Sequence, residues 1–305
     1  MSETNQPFKA GFVALVGRPN VGKSTLLNAF MKQKIAAVSP RPQTTRQRQL
    51  GILTLEHTQI VFIDTPGIHI PRHKLGEYMN EVAAIALADA DVIVWLVDGS
   101  GMPTEEDEII AGKIKDLKEP PPVLLVLNKV DLIPERQIPE YTLAYQSLLP
   151  DAEAIPVSAS AGYQRNRLLD RLIALLPEGE PFFDEAQVTD LYERDIAADL
   201  VREAALVHLR DEVPHGIAVR VDEFTERGEN GALISATLFV ERESHKGIVI
   251  GKGGEMLKLI GSTARKEIEA MSGRKVFLEL RVKVNKNWRT NRDALRMLGY
   301  FTEKE

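Results

Sequence analysis

The sequence predicts two domains, a doubly wound α/β domain over residues 1–180 and an α+β domain over residues 181–305. Three observations carry this. Short runs rich in Val, Ile and Leu alternate with amphipathic helical stretches over the first 180 residues, the order that builds a mostly parallel sheet covered by helices. The break Pro177-Glu178-Gly179-Glu180-Pro181 then ends the last of these helices. Beyond it the order changes to helix, two strands, helix, strand, helix. A length of 305 residues is enough for each domain to bury its own core.

The runs Phe12–Val16, Ile60–Ile63, Val92–Val97, Val123–Leu127 and Ala154–Val157 are dominated by aliphatic residues and mostly bounded by turn formers, as strands buried on both faces should be. Between them Lys23–Lys32, Glu77–Leu87, Glu105–Leu117 and Arg165–Leu176 show helical periodicity. Gly51–Glu56 pairs as a hairpin with Gln59–Ile63 and adds one antiparallel edge strand. After the break, Arg194–Leu209 reads as a helix. Ile217–Phe224 and Ala232–Glu241 read as strands turning at Gly228-Glu229-Asn230-Gly231. A helix at Glu255–Met271, a strand at Val276–Val284 and a helix around Asn291–Leu298 complete the chain.

Apolar and charged contents are ordinary for a soluble globular protein. No apolar run approaches the ~20 residues that span a bilayer, and Met1–Lys9 lacks the apolar stretch of a signal peptide. The absence of cysteine excludes disulfides and thiolate metal sites and fits a reducing cytosol. The net charge of −6 hides an asymmetry. From Arg242 to Glu305 there are 15 Lys/Arg against 8 Asp/Glu, while the rest of the chain has 23 against 36. A basic end on an acidic body points to a polyanionic partner.

Gly17-Arg18-Pro19-Asn20-Val21-Gly22-Lys23-Ser24, followed by Thr25, fits the phosphate-binding loop pattern and lies between a strand and a helix. Its glycines let the backbone N–H groups turn toward phosphates, and the helix N-terminus adds partial positive charge. Lys23 should reach the β- and γ-phosphates, and the Ser24 hydroxyl should ligate Mg²⁺. Asp64-Thr65-Pro66-Gly67 follows a strand, so Asp64 can hold Mg²⁺ through a water while the Gly67 N–H meets the γ-phosphate. Asn128-Lys129-Val130-Asp131 selects the base. The Asp131 carboxylate can accept from N1–H and the 2-amino group of guanine, whereas adenine would leave it unpaired. Ser158-Ala159-Ser160 follows the last strand, where a backbone N–H can bond the guanine O6.

Gln43-Thr44-Thr45-Arg46 lies in the polar stretch expected to form the first switch loop. One threonine should complete the Mg²⁺ shell, and Thr45 is favoured over Thr44. The residue after Gly67 is Ile68, where Ras-like proteins carry the glutamine that orients water. An aliphatic side chain cannot do that, so intrinsic hydrolysis should be slow. An arginine finger performs this service elsewhere for ~10³–10⁵ in rate. Asn20 is the candidate here, because GTPases with Asn at this loop position often recruit K⁺ to that place.

In the second domain, Gly251-Lys252-Gly253-Gly254 supplies a Gly-x-x-Gly loop ahead of a helix, preceded by apolar Ile248–Ile250. KH domains clamp about four nucleotides of single-stranded RNA with such a loop. The second Gly-x-x-Gly, at 228–231, is acidic and lies in a hairpin turn. Lys246 precedes the loop, Lys283 lies at the end of the last strand, and Lys286, Arg289 and Arg292 follow it. Trp288 among them either stacks a base or packs in the core.

The motifs GRPNVGKSTLLN, PQTTR, DTPG, NKVD and SAS, then HKGIVIGKGG, resemble in order and wording the Era family of bacterial-type GTPases. The resemblance covers nearly the whole chain. It implies a type II KH fold, binding near the 3′ end of small-subunit (16S) ribosomal RNA, and a role in small-subunit maturation. It also implies peripheral association with the inner face of the plasma membrane, and the expectation is otherwise a cytoplasmic monomer. Two other readings compete with a GTPase whose nucleotide state gates RNA binding. One is a membrane-associated signalling GTPase with a protein-binding C-terminal domain. The other is a nearly inactive GTP-dependent RNA-binding scaffold, given Ile68.

Overall fold

In the computed structural model, which describes residues 7–39, 41–228 and 231–302, the chain divides into two compact units. The first contains Met1–Gln33, Thr45–Ile70 and Met79–Asp190. Its six strands are β1 (Lys9–Val16), β2 (Gln49–Leu55), β3 (Thr58–Asp64), β4 (Val92–Asp98), β5 (Val123–Asn128) and β6 (Glu153–Pro156), in the sheet order β2-β3-β1-β4-β5-β6. All pairings are parallel except the β2–β3 hairpin. The aliphatic runs are buried because helices cover the sheet: α1 (Lys23–Met31), α2 (Lys74–Ala88) from Met79 onward, α3 (Glu105–Lys115), α4 (Ile138–Leu148) and α5 (Arg165–Leu175). The sequence reading assigns no element to α4. Pro139 in its first turn starts it, and Tyr145, fully buried, holds it against the sheet.

This sheet order places the C-terminal ends of β1, β3, β4 and β5 side by side, the edge at which open α/β sheets bind ligands. The sequence boundary at residue 180 shifts to 190. Gln59 Oε1 accepts from the Phe182 and Phe183 N–H groups at 2.7 and 3.0 Å, and the Ile52 N–H donates to the Val188 carbonyl at 2.9 Å. The Leu50 N–H donates to Asp190 Oδ1 at 3.0 Å, so residues 182–190 run with the β2 edge.

The second unit contains Lys34–Thr44, Pro71–Tyr78 and Leu191–Glu305. Its sheet is β7 (Ala218–Glu226), β8 (Gly231–Val240) and β9 (Lys275–Val284), antiparallel then parallel. Helices α6 (Glu193–His208), α7 (Glu243–Ile250) and α8 (Glu255–Ser272) pack through Leu200, Ala204, Val249, Ile260 and Ile268, and α9 (Arg292–Met297) follows the sheet. Glu229 and Asn230 of the expected turn lie outside the described residues. The helix α7, not foreseen as an element, contains Gly247 and a β-branched end, but buried His245 and Val249 lie four apart on its inner face.

Inclusion of Lys34–Thr44 in this unit corrects the sequence division. Lys34 Nζ donates to Glu203 and Glu267 at 2.8 Å each, and Arg41 Nη2 donates to the Leu209 carbonyl at 3.4 Å. The buried Arg202 donates through Nη1 to the Gln43 carbonyl at 3.2 Å and through Nη2 to the Thr44 carbonyl.

Candidate nucleotide site and nucleic-acid groove

The phosphate loop joins β1 to α1. Gly22 caps the helix at φ 105, and a Cβ there would come within 2.2 Å of Asn128 Nδ2, so only glycine fits. Lys23 is buried, and its ammonium donates to the Gly17 and Arg18 carbonyls at 3.1 Å each. Burial lowers its pKa to about 8, only partly offset by Asp64. Anionic phosphates arriving there would restore the charged form that burial disfavours.

Ser24, Thr45 and Asp64 come together. Ser24 Oγ donates to Asp64 Oδ2 at 2.6 Å and lies 2.9 Å from Thr45 Oγ1, which is 3.3 Å from the same carboxylate oxygen. Three hard oxygens in one cluster suit Mg²⁺. Thr44 Oγ1 instead donates to the Arg41 carbonyl at 2.8 Å and meets Ser39 Oγ at 2.9 Å. Gln43 adopts φ 62, and Arg46 is buried. Thr65 Oγ1 donates to the Leu15 carbonyl at 2.8 Å, which orients the turn through Pro66 and Gly67. Ile68 is 1 % exposed, within a cluster with Ala14, Val16 and Trp95, so its side chain is unavailable to any attacking water.

Asn128 ties three motifs together. Its Nδ2 donates to the Val21 carbonyl and its Oδ1 accepts from the Ala159 N–H, both at 2.8 Å. Val130 and Ser158 are buried, while Asp131 and Ser160 are exposed at the open end of the site. Asn20 adopts φ 63 in the loop. Sequence reasoning missed Asp98 and Asp107, which pair with Lys129 and Arg18 of the motifs. Asp98 could have been found from its place at the end of an apolar strand run, the position Asp64 also holds.

In the second unit Gly251 turns at φ 73, and a Cβ there would lie 2.8 Å from Met256 Cβ. Lys252 is exposed. A Cβ on Gly253 or Gly254 would meet nothing within 4 Å, leaving the loop open to a close-lying backbone. From this loop a cavity of about 470 Å³ runs between α8 and β9, lined by Leu257, Lys258, Arg265, Phe277 and Leu280 among others. Arg265 and Phe277 also border a second cavity of about 430 Å³ with Arg227 and Lys275. Phe277 is 62 % exposed, an aromatic face open to a base. These lining residues escaped the sequence reading because helix α8 and strand β9 meet only in the fold.

Two expectations for this domain need correction. Trp288 is fully buried, stacks on Tyr300 and donates its indole N–H to the Gly216 carbonyl at 2.9 Å, so it belongs to the core and cannot stack a base. Arg289 is ion-paired with Glu241 and half-buried. Lys283 and Lys286 are exposed but do not line the groove, and Lys246 is half-buried on α7.

Two protein families match the chain: 50S ribosome-binding GTPases over residues 12–129 and KH domains over residues 212–289. GTPase Era of Caldicellulosiruptor saccharolyticus is 48 % identical over 296 residues, 96 % of this chain and 98 % of its own. GTPase Era of Caldanaerobacter subterraneus subsp. tengcongensis is 45 % identical over 298 residues, covering 97 % and 99 %. Among solved structures, Era in complex with MgGDPNP and nucleotides 1506–1542 of 16S ribosomal RNA superposes with a TM-score of 0.92 at 41 % identity, covering 97 % of this chain and all of that one. An Aquifex aeolicus Era variant bound to GDP·AlF₄⁻ gives 0.91 at the same identity and coverage. Likeness of this extent, on a chain whose separated motifs converge on one sheet edge, leaves a single assignment: the chain belongs to the Era family, GTPases that carry a KH domain.

Proposed function

We propose that this GTPase binds 16S ribosomal RNA through the Gly251–Gly254 loop and the α8–β9 groove, that its nucleotide state gates that binding, and that it serves maturation of the small ribosomal subunit. One observation carries the reading: a Mg²⁺–GTP type site and a cation-lined Gly-x-x-Gly groove stand on one chain. The similar Era structure that holds both MgGDPNP and 16S RNA supports it. Mg²⁺ would be held by Ser24, Thr45 and, through water, Asp64, and would neutralise developing phosphate charge. Lys23 and the loop amides would orient the phosphates, and Asp131 would read guanine. K⁺ near Asn20 would supply charge that buried Ile68 cannot. We further propose a cytoplasmic monomer with peripheral contact at the inner membrane face, which fractionation of cells expressing the tagged chain and the mass of the purified protein in solution would check.

The test is affinity for an RNA spanning 16S nucleotides 1506–1542, measured with GDP and with a non-hydrolysable GTP analogue at one fixed salt concentration. Fixed salt matters because phosphate contacts make affinity steeply salt-dependent. A difference of about 5–150-fold is expected, the usual range of coupling between sites. Affinities equal within twofold, in the parent and in Thr45→Ala alike, would end the gating reading.

A further inference from the structure

Asp98 belongs to none of the nucleotide motifs, yet it stands beside two of them. It closes β4, and the parallel register sets it opposite Asn128. The next residue fastens this pairing, because the Gly99 N–H donates to the Asn128 carbonyl at 2.7 Å and a Cβ on Gly99 would press to 2.8 Å from that oxygen. The two carboxylate oxygens of Asp98 do separate work. Oδ1 accepts from the Ser100 N–H at 3.1 Å and from its hydroxyl at 2.5 Å, which fixes the side chain in its turn. Oδ2 accepts from Lys129 Nζ at 2.7 Å and has Arg18 Nη2 at 3.9 Å. Arg18 is held from its other side by Asp107, which is fully buried, at 3.3 Å from Nε. That carboxylate is fixed in turn by the Thr104 N–H and hydroxyl at 2.9 and 2.8 Å. One carboxylate thus anchors a cation of the base motif and lies near a cation of the phosphate loop.

We propose that Asp98 is a positioning residue for guanine-nucleotide binding, acting through Lys129. The inference rests on the assignment of Asn128–Asp131 to the base. Lys129 stands two residues before Asp131, whose carboxylate must stay free to accept two hydrogen bonds from guanine. An untethered ammonium would pair with that carboxylate and compete with the base, as opposite charges within about 4 Å attract even near a protein surface. Asp98 removes this competitor by giving Lys129 a better partner. The left-handed backbone of Lys129 (φ 66) starts the side chain from a fixed point. Burial pushes the Asp98 carboxyl up, but the Lys129 ammonium and the Ser100 donors more than offset this and hold it below the usual carboxylate range. It is therefore charged at neutral pH.

The experiment is a double-mutant cycle in the full-length protein, with Asp98→Asn and Lys129→Met. Asparagine keeps an oxygen for Ser100 and removes only the charge. Dissociation constants for GDP and for a non-hydrolysable GTP analogue should rise by the same factor, about tenfold, in Asp98→Asn. The KM for GTP should follow while kcat changes less than threefold, as when binding is lost equally from ground and transition states. In the Lys129→Met background the Asp98 substitution should add less than twofold. Lys129→Met alone, which leaves the Ser100 turn in place, removes the competitor itself and so supplies the reference against which the added cost of Asp98→Asn is read. Losses that multiply in the double variant, so that Asp98→Asn costs as much without Lys129 as with it, would overturn the proposal. If the base assignment itself were wrong, Asp131→Asn would leave guanine preference intact, a result separate from either outcome.

Discussion

The two candidate sites are built on opposite principles. The nucleotide site is closed by its own hydrogen bonds: Asn128 spans from the Val21 carbonyl to the Ala159 N–H, Lys23 is capped by two loop carbonyls, and Ser24 already meets Asp64. Its selectivity comes from a few atoms held in place. The α8–β9 groove has no such network, being a trough between a helix and an edge strand with Lys258, Arg265 and an exposed Phe277 along it. It offers charge and an aromatic face over a wide area. Change at the first site should be atom-specific, and change at the second should scale with charge.

The sharpest way to break this contrast is at Lys252 and Gly253. Replacing both by Asp sets two carboxylates against an RNA backbone, and like charges brought together cost several kcal/mol. RNA affinity should fall by more than about 100-fold in a filter-binding titration, with GDP affinity unchanged. Retained RNA binding would mean that the basic end works through another surface.

A smaller effect is expected at Asp131. Asp131→Asn replaces two accepting oxygens with one and adds a donor, which suits the 2-carbonyl of xanthine. GTP affinity should drop about 10–100-fold, the worth of one bidentate base contact, and xanthosine triphosphate should become the better ligand. Smallest of all, hydrolysis should run a few-fold faster in K⁺ than in Na⁺ at equal ionic strength, and the difference should vanish in Asn20→Ala. Equal rates in the two salts would leave the cation idea without support.

The same contrast explains what could be read without coordinates. Phosphate, metal and base each demand particular residue types at fixed short spacings, so residues such as Lys23, Asp64 and Asp131 declare themselves locally. The strand–helix alternation was equally plain, because strands buried on both faces must be continuous aliphatic runs. What stayed hidden depends on pairing across the chain. Asp98 meets Lys129 only through strand register, and Phe277 reaches the groove only because β9 is the sheet edge. Trp288 lies among cations in sequence, but its neighbour in space is Tyr300. Residues 34–44 read as part of the first domain until Arg202 and Lys34 show which helices hold them.

The placement of the two tryptophans has a spectroscopic consequence. The chain has only Trp95 and Trp288, one in each unit and both fully buried. Among the described residues the Trp95 indole N–H meets no protein hydrogen-bond partner in its apolar surroundings, while that of Trp288 donates to a peptide carbonyl. An indole among apolar side chains emits at shorter wavelength than one bonded to a dipole. The protein therefore carries two distinguishable native chromophores, and single Trp→Phe variants turn each into a private gauge of its own unit. Melting of the GTPase unit and of the KH unit can then be followed separately, without any attached dye.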